Sequence, residues 1–330
     1  MVKDFKVIAI ICFITICNLS AVAQITSING TVKDTQGRPI PLAFVRDVQH
    51  YYATYADSAG NFMLKADPSS ILIAIANGYE DTRAKIEGKT IVNIIMPAGT
   101  SSSANAAGNS AGLAGGEDGS NAGVPYIQTL VTQTGSSSAI TAGFTHEPTK
   151  GSQFLLPNWV HGFAIGISDS LWFDINNLYN YDKVNGTLLF TKDRKIVMRV
   201  NKPGIKHFEL FDGKLLPLIF ENAPAISKKP YVEVLLNNAK YKIYKQTDTK
   251  LIQADFKSDG VITSGNRYDE YVDYVHYYFL KPGDKPKQIS LKKKTLKELL
   301  SGDADKFVAA QGDRDVDDEY IRELGYSLAQ

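Results

Sequence analysis

Residues 28–45 read INGTVKDTQGRPIPLAFV, and this stretch decides the fold of the N-terminal part of the chain. Ile28, Gly30 and Val32 alternate with polar residues, which is the two-residue period of a half-buried β-strand. The polar turn that follows ends at Gly37, because a residue without a Cβ adopts a positive φ at little cost. The two prolines of the stretch then exclude a helix and favour an extended edge. The stretch therefore predicts a strand, a turn and a second strand.

The same pattern continues as far as Pro97. A second polar turn at residues 57–60 precedes the alternation of residues 62–66, and the apolar runs 71–75 and 91–96 are typical of buried strands. Five to seven short strands at this spacing predict a small β-sandwich over residues 24–97.

The spacing of these residues resembles that of the carboxypeptidase regulatory-like domain. The positions that carry the resemblance are the frame I-x-G-x-V-x-D-x-x-G-x-P-x-P-x-A-x-V of residues 28–45, D-x-x-G-x-F of residues 57–62, and Gly78-Tyr79. The resemblance implies a prealbumin-like Greek-key sandwich that serves as a scaffold or recognition module, without catalytic residues. It also implies an exported envelope protein of the Bacteroidetes type.

The first residues have the pattern of a secretory signal peptide. Lys3 and Lys6 precede a largely apolar run over residues 7–16, and Ala21-Val22-Ala23 follows as a cleavage site. The run is too short for a membrane-spanning helix, which needs about 20 residues. We therefore predict a signal peptide over residues 1–23 and export to the periplasm or the outer membrane and cell surface. No later apolar run predicts a transmembrane segment after signal cleavage.

Cysteine usage and charge restrict the chemistry of the mature chain. Cys12 and Cys17 are the only cysteines and both lie in the predicted signal peptide, which excludes disulfides and thiolate sites from the mature chain. The formal net charge is +1, and the signal peptide accounts for it through Lys3, Asp4 and Lys6. A neutral mature chain has no electrostatic footprint for nucleic acid. We expect no cofactor, and an envelope protein or glycan as partner.

Residues 98–150 are predicted to be a flexible linker. Between residues 100 and 124 the chain consists almost wholly of Ser, Ala, Gly and Asn, which bury too little apolar surface to order the backbone. The two flanking modules are therefore expected to move independently. A G-x-S-x-G match at residues 108–112 lacks the strand and helix that a nucleophile elbow requires. Residues 126–132 form a possible isolated strand.

Residues 151–330 are predicted to form a β-rich domain, a meander or sandwich, that ends in short helices. The predicted elements are a hairpin of residues 187–190 and 196–200, a second hairpin of 231–236 and 240–245 that a strand over 251–256 extends, a long strand over 268–280, a helix over 291–300 capped by Ser290, and a helix over 313–328. The motif N-Y-D-x-x-x-G-x-L-L of residues 180–189, with W-x-x-G of residues 159–162, resembles uncharacterised Bacteroidetes envelope proteins.

Familiar metal motifs are incomplete in this sequence. His146-Glu147 begins an H-E-x-x-H motif, but Lys150 stands where the second histidine belongs. The acidic residues 313–317 begin like a calcium loop, but Asp318 replaces the turn glycine and Leu324 replaces the bidentate glutamate. We therefore predict no metal site.

Two groups of residues are candidate ligand-binding sites. Tyr274, His276 and Tyr278 share one face of a predicted strand and could form a stacking platform for a sugar or a peptide, although aromatic rings in strands more commonly build a core. The second group could form a polar pocket or hold a hard cation, although Asn and Asp also favour turns for backbone reasons. It consists of Asp174, Asn180 and Asp182.

The sequence predicts a non-catalytic binding or scaffold protein of the cell envelope, which recognises an envelope component or a protein partner. One alternative is a hydrolase of envelope polymer, with Asp174 and Asp182 as acid and base at a separation of about 5–10 Å. The other alternative is a structural subunit of a secretion or gliding apparatus.

Overall fold

The computed structural model of the protein describes residues 25–50, 52–99, 123–125, 147–200, 204–258 and 261–328. The predicted signal peptide, the G-x-S-x-G match at 108–112 and the possible strand at 126–132 lie outside the described residues. Within them the chain is mainly β, with several sheets and short helices near the C-terminus, which confirms the predicted fold class.

Residues 25–97 form a sandwich of two sheets. The strands are β1 (Thr26–Asp34), β2 (Phe44–Asp47), β3 (Ala53–Tyr55), β4 (Asn61–Ala66), β5 (Ile71–Ile75), β6 (Thr82–Lys85) and β7 (Ile91–Met96). One sheet has the order β4-β1-β7 and the other the order β3-β2-β5-β6. Apolar side chains from both sheets form a single buried core, which includes Ile28, Val32 and Phe62 from the first sheet and Val45 and Leu72 from the second.

Two glycines of the quoted frame have a packing reason. A Cβ at Gly30 would lie 1.8 Å from the carbonyl oxygen of Val92, so the parallel pairing of β1 with β7 requires glycine there. Gly60 has a φ of +76°, and its Cβ would lie 2.6 Å from the carbonyl oxygen of Val32. The Asp34 carboxylate organises the first turn, because it accepts hydrogen bonds from the backbone N–H groups of Gln36 and Arg38.

The second domain contains a nine-stranded sheet and a four-stranded sheet. The strands that follow β7 are β8 (Gly123–Pro125), β9 (Glu147–Lys150), β10 (His161–Gly166), β11 (Leu171–Trp172), β12 (Leu178–Asp182), β13 (Thr187–Thr191), β14 (Met198–Val200), β15 (Ile205–Phe211), β16 (Leu218–Glu221), β17 (Val232–Asn237), β18 (Lys242–Ile252), β19 (Lys257–Ser258), β20 (Thr263–Ser264), β21 (Tyr268–Leu280) and β22 (Lys287–Ile289). The large sheet has the order β11-β10-β15-β16-β17-β18-β21-β22, with β9 beside β21, and the smaller sheet has the order β12-β13-β14-β8. One face of β10, β15 and β16 packs on the smaller sheet through Ala164, Phe208 and Phe220.

The predicted hairpins and the long strand are confirmed, but the strand predicted over residues 251–256 is wrong. Strand β18 runs without interruption from Lys242 to Ile252 and pairs along that whole length with β21. Residues 247–250 of β18 are Thr, Asp, Thr and Lys. The hydrophobic alternation by which a strand is recognised therefore stops before the strand does.

Three helices follow the last strand: α1 (Lys293–Leu299), α2 (Asp305–Ala310) and α3 (Asp318–Ser327). The predicted cap at Ser290 is wrong, because α1 begins after Lys292 without a side-chain cap. Helix α3 is capped by Asp317, whose carboxylate accepts the backbone N–H of Tyr320 at 2.8 Å. The helices pack on β17, β18 and β21 around Leu236, Ile243 and Phe279.

In the part of the chain that the structure describes, no helix has the length and apolar character needed to cross a membrane.

The two modules are joined by an interface of buried aromatic and aliphatic side chains, here called the aromatic interface. Its main members are Phe44, Tyr55 and Ile75 from the first module and Phe163, Phe173 and Phe211 from the second. The Phe44 ring stacks on the Phe173 ring with a centroid distance of 4.3 Å. The expectation that the modules move independently is therefore wrong, because separating them would expose these side chains to water.

Candidate binding cleft between the two modules

A cleft of about 600 Å³ lies beside the aromatic interface and is lined by residues of both modules. Its roof is the outer face of the β1–β4 pair. Successive side chains of a strand point to opposite faces, so Ile28 and Leu64 enter the module core while Ser27, Met63 and Lys65 face the cleft. The roof therefore belongs entirely to the first module.

The floor of the cleft is one face of β15, β16 and β17. His207 and Glu209 lie two residues apart on β15 and share that face. The register places His207 opposite Glu221 and Glu209 opposite Ile219, which in turn lies opposite Val234 on β17. The floor therefore combines two polar side chains of β15 with apolar neighbours.

Loops and the last helix close the sides of the cleft. Leu216 and Pro217 come from the β15–β16 connection, and Tyr52 comes from the first module. Helix α3 contributes Tyr326, whose hydroxyl donates to Oδ1 of Asn29 at 3.3 Å. The last helix of the chain thus contacts the first strand across the cleft.

Charged side chains hold helix α3 in place against the sheet. Lys245 Nζ lies 2.5 Å from Asp318 Oδ2, and the Tyr277 hydroxyl donates to Asp318 at 2.9 Å. Arg322 forms an ion pair with Glu233 of β17. Because four of these five side chains are at least three-quarters buried and the fifth is half-buried, they fix the helix that forms the cleft wall.

Glu209 is the most strongly perturbed titratable group of the cleft. Its side chain is 17% exposed, and its nearest charged or titratable contact among the described residues is His207 Nε2 at 3.8 Å from Oε1, which is too long for a hydrogen bond. Burial raises the pKa of this carboxyl to about 8, although the positive charge of Lys65 acts in the opposite direction. Glu209 is therefore mostly protonated at neutral pH.

His207 and Glu221, the polar neighbours of Glu209 on the floor, differ from Glu209 in their contacts. Burial lowers the pKa of His207, so its imidazole is neutral near pH 7. The Glu221 carboxylate accepts hydrogen bonds from Lys242 Nζ at 2.8 and 3.0 Å and from the Tyr244 hydroxyl at 2.5 Å. Glu221 is thus fully engaged with its own strand neighbours, whereas the Glu209 carboxyl faces the cleft.

The tyrosine face predicted from the sequence exists but does not line the cleft. Tyr274, His276 and Tyr278 alternate along β21 and therefore share a face. Tyr274 is 43% exposed, and Lys250 Nζ lies 5.3 Å from its ring centroid. The other two are half-buried, with His276 Nδ1 3.2 Å from the side-chain nitrogen of Gln288 and Tyr278 packed near Tyr244. Whether this face binds a ligand stays a prediction.

The structure gives turn and loop partners to Asp174, Asn180 and Asp182. The Asp174 carboxylate accepts the backbone N–H of Asn176 at 2.9 Å, and that of Asp182 accepts the backbone N–H groups of Val184 and Asn185, each at 2.9 Å. The Asn180 amide donates to the carbonyl of Leu156 at 2.8 Å and accepts from its N–H at 3.2 Å. The contacts of Asp174 and Asp182 correspond to the backbone role that Asp plays in turns, whereas Asn180 joins strand β12 to the loop that contains Leu156.

Within the described ranges, no three His, Cys, Asp or Glu side chains are grouped so that they could hold a metal ion. A scan against protein-family models found no match, and a search of the curated proteins found no significant relative.

Proposed function

We propose that this is an exported, non-catalytic binding or scaffold protein of the cell envelope, which takes its ligand in the cleft between its two modules. The observation that carries the proposal is the cleft of about 600 Å³, which is lined by both polar and apolar side chains and in which the Glu209 carboxyl has no hydrogen-bond partner among the described residues. Binding sites for small ligands have volumes of about 300–1,000 Å³ and combine apolar walls with polar groups that fix the orientation of the ligand.

The alternative of a hydrolase that uses Asp174 and Asp182 receives less support. Catalytic carboxylates must face a common cleft, and each of these accepts backbone hydrogen bonds within its own turn. Neither residue lines the cleft between the modules.

We also propose that residues 24–97 belong to the carboxypeptidase regulatory-like family. The support is the two-sheet sandwich together with the turn positions Asp34 and Gly60, which have the roles that the frame requires.

The binding proposal can be tested with two matched variants on the outer face of β1. Ser27 lines the cleft and Thr31 shares that face of the strand but does not line the cleft. An extract of envelope lipids, glycans or peptides that contains the ligand should raise the melting temperature of the full chain. Ser27→Trp should fill the cleft and abolish this stabilisation. Thr31→Trp should preserve it. Equal stabilisation of the two variants would place the ligand outside the cleft.

Export is tested separately by mass measurement of the protein from a periplasmic fraction. The proposal requires a chain that begins at Gln24. A chain that retains Met1 would contradict export through a cleaved signal peptide.

A further inference from the structure

Two polar groups face each other across the cleft without a partner of their own. On the roof, the Lys65 ammonium forms no ion pair or hydrogen bond with any described residue. On the floor, the Glu209 carboxyl has no hydrogen bond within the described ranges. Polar groups that are mostly shielded from water usually have partners, so the unpartnered Glu209 carboxyl, which is 17% exposed, points to a missing ligand. Lys65 is exposed, and its ammonium is free to contact a ligand at the mouth of the cleft.

The other charged groups around the cleft are already neutralised. Lys206 Nζ lies 2.6 Å from Asp169 Oδ1, Glu221 is paired with Lys242, and Arg322 is paired with Glu233. His50, at the edge of the first module, contacts Asp47 at 2.9 Å. With His207 and Glu209 uncharged at neutral pH, Lys65 supplies the unbalanced charge of the cleft, and that charge is positive.

We propose that the cleft binds an amphipathic carboxylate, whose anionic group lies between Lys65 and the Glu209 carboxyl and whose apolar part lies along Ile219 and Val234. Lys65 supplies the opposite charge. The Glu209 O–H donates a hydrogen bond to the ligand carboxylate, and such charge-assisted bonds are short and strong. Leu216, Pro217 and Met63 cover the apolar part. This inference rests on the proposed binding function of the cleft and specifies the class of its ligand.

The charge preference is tested by calorimetric titration of the full chain with three eight-carbon probes at pH 7. Octanoate should bind, whereas octanol and octylammonium, which have the same apolar chain, should bind at least tenfold more weakly. Equal binding of octanol would leave the cleft as a binding site but overturn the carboxylate assignment. Tighter binding of octylammonium, or no binding of any probe, would also overturn it.

Two substitutions separate the contributions of the polar groups. Lys65→Met should weaken the binding of octanoate roughly tenfold and leave the binding of octanol unchanged, because the substitution keeps the side-chain length and removes the charge. Lys33→Met is the control, since this exposed lysine of β1 does not line the cleft. Equal losses in the two lysine variants would contradict a direct contact with Lys65.

The role of Glu209 is tested by the pH dependence of octanoate binding. As Glu209 ionises above pH 8, the affinity of the native protein should fall about tenfold for each pH unit, because two carboxylates then repel. Glu209→Gln remains uncharged and keeps a donor, so its affinity should stay constant from pH 7 to 9.5. A parallel pH dependence in the native protein and the variant would show that Glu209 does not contact the ligand.

Lipids and peptides can both supply an amphipathic carboxylate. N-acetyl-Leu-Leu, which ends in a free carboxylate, serves as the peptide probe beside octanoate. Either probe supports the proposal if Lys65→Met weakens its binding. The probe that binds more tightly identifies whether the ligand is a lipid or a peptide.

Discussion

The two modules meet in two different ways on the same sheet face. Phe163 of β10 and Phe211 of β15 belong to the dry aromatic interface, and His207 and Glu209, on the same face of β15, form the floor of the open cleft. Aromatic rings fill the space between the modules at the aromatic interface, whereas the space beside His207 and Glu209 stays open as the cleft. The comparison shows how one sheet can both fix a neighbouring module and leave room for a ligand beside it.

The largest effect is expected from truncating the aromatic interface. Phe44 is fully buried and stacks on Phe173, so Phe44→Ala should lower the free energy of unfolding by about 3–5 kcal/mol. Urea unfolding followed by circular dichroism measures this, and small-angle scattering should show a larger radius of gyration as the modules separate. Phe62→Ala is the control, because Phe62 is equally buried but lies in the core of the first module alone. It should destabilise the protein without separating the modules below the unfolding transition.

An effect of similar size and opposite sign, which depends on pH, is expected at Glu209 in the cleft. The folded protein keeps the Glu209 proton up to about pH 8, while the unfolded chain releases it near the ordinary value of 4.5. Raising the pH through this interval therefore costs the native protein stability, by about 1.4 kcal/mol for each pH unit. Glu209→Gln has no such cost, so its stability relative to the native protein should increase from pH 5 to pH 8 in urea unfolding experiments. Parallel stability curves would show that Glu209 is not desolvated.

A modest effect is expected from the hydrogen bond between helix α3 and strand β1. Tyr326→Phe removes the hydroxyl that donates to Asn29 and should cost about 0.5–1.5 kcal/mol. A double-mutant cycle with Asn29→Ala isolates the pair. If the changes in the free energy of unfolding caused by the two substitutions are additive, the hydrogen bond does not help to close the cleft.

The smallest effect is expected at Tyr274, which belongs neither to the aromatic interface nor to the cleft. Tyr274 is 43% exposed, so Tyr274→Ala should cost less than about 1 kcal/mol. Tyr278→Ala should cost roughly 2 kcal/mol, because Tyr278 is half-buried beside Tyr244. Thermal melts of the two variants measure the difference. Large losses in both would identify the tyrosine face as core and remove it as a binding candidate.

Local patterns predicted the two hairpins and the long strand β21, because alternation and apolar runs indicate which side chains of a strand are buried. Strand β15 (Ile205–Phe211) shows the limit. It was not among the predicted strands, and nothing in its sequence indicates that its polar face is covered by another module. Lys65 and Glu209 come together only through the docking of the two modules. Their meeting depends on contacts between distant parts of the chain, which no local pattern records.

The hydrogen bond between Tyr326 and Asn29 spans 297 residues of sequence, and this separation has a consequence for the order of folding. During synthesis the first module can fold before β10 and β15 exist, and it then presents Phe44 and Ile75 to solvent. Exposed apolar surface of this kind promotes aggregation until the partner surface arrives. The cleft is completed later still, because helix α3 follows β10 and β15 along the chain. Contacts between residues so far apart in the sequence form slowly. A truncated chain can therefore be well folded in part and still lack its binding site.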